Sequence, residues 1–308
     1  MVDLLIRLVK EKPLGTAGGV IVLILLFAAI FADLLATYGY NEIILAERLN
    51  PPTDKHPLGT DNLGRDLLSR IIYGARISMI VGLASSVIET LLATSIGIVS
   101  GWFGGKTDLV IQRFVDAWMC FPQLVMYMSV MAIVGPGLLQ VILVIGLVGG
   151  VRASRVVRSA VIAVKGNMYF QAAEAIGASP GRIMHRHVLP NVLPPIIIIF
   201  TLNVGSNILN EATLSFLGFG IPPPVPSWGG MLSGAGRRYM LQAPWMALWP
   251  GLALASAVYG INMLGDAVRD LLDPRLRGGL GRYRVVSKKQ LQKRLQKAIP
   301  EHTDSVKP

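Results

Sequence analysis

The sequence predicts an all-α integral membrane protein, and three observations carry that expectation. Of its 308 residues 52% are hydrophobic and only 15% charged, with a mean hydropathy of +0.54, far from the balance of a soluble domain. Several apolar runs reach the roughly 20 residues that a helix needs to cross about 30 Å of hydrocarbon. The lysines and arginines cluster in alternate segments between those runs, as they do when basic loops are retained on one side of a membrane.

Six spans are expected, approximately Leu14 to Ala36, Ile77 to Val99, Phe114 to Val134, Leu138 to Val157, Val192 to Ser215 and Trp245 to Leu264. The first follows Arg7, Lys10 and Lys12 as a secretory signal would, but it is longer than a signal core and five more spans follow, so it is expected to stay as an anchor. With the N-terminus in the cytoplasm, segments 1 to 13, 100 to 113, 152 to 191 and 274 to 308 fall inside and hold 3, 2, 6 and 10 basic residues, while the outer loops hold seven. Both termini are then cytoplasmic. The net charge of +11 is therefore a topological signal rather than a nucleic-acid footprint.

Between the first two spans, Leu63, Leu67, Leu68, Ile71, Ile72 and Ala75 share one helical face, with Arg65, Asp66, Ser69 and Arg70 elsewhere, which predicts an interfacial helix feeding the second span. The chain thus divides into residues 1–76, an anchor with its outer loop, residues 77–272, a five-span core, and residues 273–308, a basic tail. After the fifth span, Pro222, Pro223, Pro224 and Pro226 hold an extended strap, and Trp228, Trp245 and Trp249 suit a headgroup belt. In the tail, Ser287 to Ala298 reads as a short basic helix fit for anionic lipid or a partner.

Motifs for chemistry fail on inspection. SGWFGGKT, Ser100 to Thr107, has a serine where a phosphate-binding loop needs its first glycine, and it follows a membrane helix rather than a strand. His185 and His187 are two apart and face different directions on a helix. The lone Cys120 cannot form an internal disulfide or a cysteine metal cluster. No catalytic residue, no metal site and no cofactor bound by this chain is expected.

The informative segment is YFQAAEAIGASPGRIMHRHVLPN, Tyr169 to Asn191, within the inside loop 158–191. Gln171, Ala172, Ala173 and Glu174 favour a helix that Gly177 ends, and Ser179 caps a second with Pro180 at its first position, closed by Pro190. Small side chains at Ala172, Ala173 and Gly177 make an elbow that a groove on another protein can accept.

Here the chain resembles the inner-membrane permease subunits of ATP-binding-cassette (ABC) importers, whose inside loop reads E-A-A, three residues, G, nine residues, I-x-L-P. Gln171, Ala172, Ala173, Gly177, Leu189 and Pro190 stand at those positions; Gln171 replaces the glutamate, and His187 the isoleucine, as in the RHxLPN variant of peptide permeases. Leu58 to Ser78 and Leu214 to Leu232 look like the dipeptide and oligopeptide branch, specifically its C-type permease.

The resemblance implies the type I importer permease fold in a bacterial or archaeal inner membrane. It also implies ATPase coupling through Gln171, Ala172, Ala173, Glu174, Gly177, Ala178, Ser179, Pro180, Leu189 and Pro190, and a heterodimer with a homologous permease. Two cytoplasmic ATPase subunits that hold ATP and Mg, and an extracytoplasmic substrate-binding protein, complete the implied assembly. Di- or oligopeptide is the expected cargo, with nickel or oligosaccharide on the same scaffold as the alternative, and an ion-coupled secondary transporter or a membrane enzyme as alternatives of another class.

Acids and amides inside the spans are expected to face protein or a wet cavity. Glu89, Asp116, Asn203, Asn207, Asn210 and Glu211 are therefore pathway candidates, although for the asparagine stripe helix glue is the preferred reading.

Overall fold

The computed structural model describes residues 2–168 and 175–272. Glu174 and the rest of 169–174, which include Gln171, Ala172 and Ala173, lie outside the described residues, as does the tail 273–308 with its expected basic helix. In chain order the helices are α1 (Val2–Glu11), α2 (Pro13–Ile30), α3 (Ala32–Leu35), α4 (Leu67–Phe103), α5 (Gly105–Met119), α6 (Gln123–Val134) and α7 (Leu138–Lys165). There follow α8 (Pro180–Ile183), a π-helical turn Met184–Val188, α9 (Leu189–Phe216), α10 (Trp228–Leu232), α11 (Gly234–Tyr239) and α12 (Trp245–Leu272).

Among the described residues five helical runs are long and apolar enough to cross a membrane, or six if one bent pair counts as a span. The bent pair corrects the expectation of a straight third span from Phe114 to Val134: α5 and α6 meet at 86°. Pro122 is the physical reason, since it has no N–H and biases Phe121 away from helical geometry. With 12 residues α6 is roughly 18 Å long, so only the pair together reaches across roughly 30 Å of hydrocarbon.

The expected interfacial helix is not a separate element. Its apolar stretch forms the first turns of α4, a single helix of 37 residues that starts where Asp66 accepts the Ser69 N–H at 2.7 Å. Nor does its polar side face water. Asp66, Ser69 and Arg70 are buried, Arg70 donating to the Tyr40 carbonyl at 2.7 Å, because the 37–66 loop folds back over them. Trp228 likewise leaves the expected belt: it is fully buried against Gly74 and donates to the Ile71 carbonyl at 3.1 Å.

Pro190 does not close a helix. The chain runs helically from Pro180 to Phe216, and the turn just before Pro190 widens to π geometry, which relieves the proline ring of the clash that an α-helical carbonyl four residues back would impose. Ser179 occupies the N-cap position with extended backbone, but its hydroxyl makes no capping bond.

The bundle is built on the α4–α7 seam, where glycines bring backbones together. A Cβ at Gly97 would lie 2.7 Å from the Ser154 carbonyl oxygen, one at Gly146 3.0 Å from that of Ser85, and one at Gly150 3.0 Å from that of Glu89. Without side chains at these points the helices gain close van der Waals contact, the main cohesive force between helices in lipid. At one end of the seam Val81, Ile142, Ile145, Val148 and Leu214 form an apolar core with Tyr127 and Met131 of α6. At the other, Ala93, Val157, Val161 and Val164 pack with Ile183, Val188, Val192 and Ile196.

Candidate functional site

Two constellations matter: a buried polar cluster inside the bundle, and the elbow with the arm that carries it.

In the cluster, the Glu89 carboxylate on α4 accepts a hydrogen bond from Asn207 Nδ2 on α9 at 2.7 Å, and Ser86 Oγ lies 3.0 Å from the same nitrogen. Asn210 Nδ2 donates to Asn207 Oδ1 at 3.4 Å. From the third side Gly149 of α7 supplies room, since a Cβ there would lie 2.8 Å from the Glu89 carboxyl carbon. One acid thus joins three helices. The sequence singled out Glu89 and the asparagines but not Gly149, whose role depends on helix register rather than on any local pattern.

The other pathway candidates stand apart. Asn203 Nδ2 is buried without a partner. Glu211 is completely buried; its Oε1 accepts from the Ser215 hydroxyl at 2.7 Å and its Oε2 has no partner. Asp116 on α5 is half exposed and pairs with Arg155 of α7, with Arg113 at 3.6 Å. None of the six lines the cavity of about 320 Å³ bordered by Arg65, Arg70, Ser215, Pro222 and Ser227.

Substituting Asn207 by leucine leaves the buried Glu89 carboxyl short of its donor, at a cost of about 1–3 kcal/mol. Thermal unfolding in detergent is expected to show that loss, and the Glu89→Leu/Asn207→Leu double variant is expected to recover part of it, because the buried carboxyl is removed together with its donor; the bonds of Asn207 to Ser86 and Asn210 are lost in both variants. Equal or additive losses in the single and double variants would mean that the pair does not act as a unit.

A second set of bonds, which the sequence reading missed, ties α5 to the seam. Arg158 of α7 grips Asp108 of α5 through Nε at 2.6 Å and a second nitrogen at 2.5 Å. Asp108 also accepts from Ser100, whose oxygen takes a bond from Gln112 at 2.9 Å. Arg152, Arg155 and Arg158 recur every third residue on one helix, a visible signal, but partners 39 and 50 positions away are not.

At the elbow, Gly177 has φ +76, a left-handed conformation that an L side chain resists, and a Cβ there would meet nothing within 4 Å among the described residues. Ile176 beside it is 84% exposed. Below the elbow the arm is firmly seated. Ile183 and Val188 are buried in the apolar cluster with α4, α7 and α9, with Ala178 and Leu189 packed against it. Lys165 at the end of α7 donates to the Trp102 carbonyl at the end of α4 at 2.7 Å. Pro180 begins α8, and Pro190 sits exposed in the first turn of α9. Gly177, Ala178, Ser179, Pro180, Leu189 and Pro190 are thus brought into one bent arm with an exposed tip and a buried root. Among the described residues no three His, Cys, Asp or Glu side chains gather as a metal site.

Residues 93–278 match the model of the binding-protein-dependent transport system inner membrane component, and residues 3–52 that of the N-terminal TM domain of oligopeptide transport permease C. The chain is 39% identical to the dipeptide transport system permease protein DppC of Alkalihalophilus pseudofirmus, over 87% of this chain and 88% of that protein. It is 35% identical to the oligopeptide transport system permease protein OppC of Bacillus subtilis, over 87% and 88%. With the glutathione transport system permease protein GsiD of Pectobacterium atrosepticum it shares 37% identity over 87% and 89%. Among solved structures, an inward-facing conformation of the MetNI methionine ABC transporter contains a chain that superimposes with a TM-score of 0.54 at 16% identity, covering 66% of this chain and 96% of that one, a likeness of fold.

Proposed function

Because the chain belongs to the family of binding-protein-dependent transport system inner membrane components, and is a multi-span permease subunit of an ABC importer, we propose that it forms half of the translocation pathway for di- or oligopeptides and takes its driving force through the elbow around Gly177. The observation that carries the coupling role is the build of the arm: an exposed tip at Ile176 and Gly177 whose root, Ile183 and Val188, is buried among α4, α7 and α9. A push on the tip is delivered to three spanning helices at once, so closure of an ATPase is converted into a rigid-body rotation and alternating access. Gln171, Ala172, Ala173 and Glu174, by their position in the motif, complete the surface that the ATPase receives.

The assembly contains a homologous second permease, two cytoplasmic ATPases that bind ATP and Mg, and an extracytoplasmic binding protein that selects the cargo. Both termini of this chain are cytoplasmic, and the chain itself performs no chemistry. Peptide is preferred over nickel or oligosaccharide because the relatives above are dipeptide, oligopeptide and glutathione permeases. An ion-coupled carrier would work through an exchangeable acid, whereas Glu89 is engaged by Asn207, itself bonded to Ser86, and packs closely against Gly149. Glu89, Asn207 and Asn210 act here as helix glue at the heart of the moving bundle, and Asp116, Asn203 and Glu211 remain the pathway candidates. The test is uptake into proteoliposomes holding the full assembly, offered dipeptides, longer peptides, a nickel complex and an oligosaccharide. Peptide uptake alone is expected; uptake of nickel or sugar alone would move the chain to that cargo.

A further inference from the structure

We propose that His56 is held as an imidazolium between Glu47 and Asp66, and that this buried cation positions the 37–66 loop on the first turn of α4 and lets it go as the medium turns alkaline. The inference does not rest on the transport reading.

The geometry is specific. His56 Nδ1 lies 2.8 Å from Asp66 Oδ1 and Nε2 lies 2.8 Å from Glu47 Oε2, with the residue only 2% exposed. A neutral imidazole has one N–H, so one ring nitrogen would turn a lone pair toward an anionic oxygen at hydrogen-bond distance. Only the imidazolium donates to both. The carboxylates have no better use for the proton: Asp66 Oδ2 accepts the Ser69 N–H at 2.7 Å, and Glu47 Oε1 faces Lys55 Nζ at 3.8 Å.

The charged and titratable groups around the ring are Glu47, Lys55 and Tyr38 from the loop and Asp66 from α4, Tyr38 lying with its ring centroid 4.9 Å away. Behind Asp66 stand Asp61, Arg65 and Arg70, with Asp61 paired to Arg65 at 2.7 Å and to Arg70 at 3.7 Å. Loss of the proton is felt beyond the ring because the histidine is tightly mounted. Its N–H donates to Thr53 Oγ1 at 3.1 Å, and its carbonyl accepts from Thr53 and Gly59, both at 2.9 Å. The Tyr38 N–H donates to Ser69 Oγ at 3.2 Å, so the same few residues fasten both ends of the loop to α4.

Burial lowers the affinity of His56 for its proton, but the hydrogen bonds of Asp66 and Glu47 outweigh it and hold the group above its ordinary value. A group raised in the folded state stabilises fully below its unfolded value, about 6.5 for imidazole, and its contribution is lost as pH rises from there through the raised value.

Amide hydrogen exchange of the full chain in nanodiscs, read on peptides covering 37–66 and corrected for intrinsic rates, tests this. Wild-type protection is expected to hold up to near neutrality and then fall by up to about tenfold per pH unit until the raised value is passed. His56→Gln is expected to show weaker protection that does not vary with pH. Glu47→Gln, a milder change at a half-buried residue, is expected to move the fall to lower pH, and it keeps the test open if His56→Gln does not fold. In wild type, nitrogen NMR should show one histidine protonated on both nitrogens at about pH 7 that is missing from His56→Gln. Flat wild-type protection between about pH 6 and pH 9, an unchanged fall in either variant, or a singly protonated His56 at about pH 6 would overturn the proposal.

Discussion

Gly177→Glu is expected to insert and reach wild-type levels in the membrane, yet to lose ATP-driven uptake by at least about tenfold, equivalent to about 1.4 kcal/mol of lost coupling. Two effects act together. The left-handed backbone costs a non-glycine residue about 1–2 kcal/mol, which shifts the elbow toward other shapes. A charged side chain of that size would also stand where, on the proposed reading, an ATPase closes on a small tip. Among the described residues nothing lies within 4 Å of a Cβ at 177, so the side chain starts into open space there. Stability measured on this subunit alone should therefore change little. Gly177→Ala separates the two contributions: it carries the backbone cost without bulk or charge and is expected to keep intermediate uptake. Normal transport by Gly177→Glu, with normal assembly, would remove the elbow from the coupling path.

The largest loss of stability is expected from Gly97→Leu. A Cβ there lies 2.6 Å from the Val157 Cβ, 2.7 Å from the Ser154 carbonyl oxygen and 2.9 Å from the Arg158 N. Two of those three are backbone atoms of α7, which cannot swing aside, so the helices must separate. Overpacking of this kind costs about 1–3 kcal/mol, and the Arg158–Asp108 grip one turn along is strained with it, so unfolding in detergent should shift down by roughly 2–5 °C. Gly181→Leu is the matched control, since a Cβ at 181 meets nothing within 4 Å. If the two variants unfold at the same temperature, the seam is not what holds the bundle.

Much of this molecule is legible in its sequence because lipid imposes a simple rule: long apolar runs become helices, and basic residues mark the segments between them. The elbow was legible for a different reason, since Gly177 and Pro180 have backbone demands that few contexts satisfy. What escaped was set by contacts between distant residues. Nothing local reveals that Trp228 turns inward to cover Gly74 rather than joining a belt, or that Arg70 is covered by a loop whose Tyr40 carbonyl receives it. The bend in the third span escaped because hydropathy counts Phe121 and ignores what Pro122 does to the backbone. Pro190 misled in the opposite sense: a proline in a helix's first turn is harmless, and a π turn before it lets the helix run on. Of the pathway candidates, Asn207 and Asn210 are neighbours by their spacing on α9, but Glu89 joins them only because α4 and α9 cross there, a fact of packing that no spacing within α9 contains.

The most direct measurement is cargo uptake and ATP hydrolysis by this polypeptide in liposomes, purified alone and then rejoined with its companion permease, the ATPase pair and the binding protein. Silence from the isolated chain and ATP-dependent peptide uptake from the full assembly is the predicted outcome. Turnover of nucleotide, or movement of solute, by the chain on its own would contradict it.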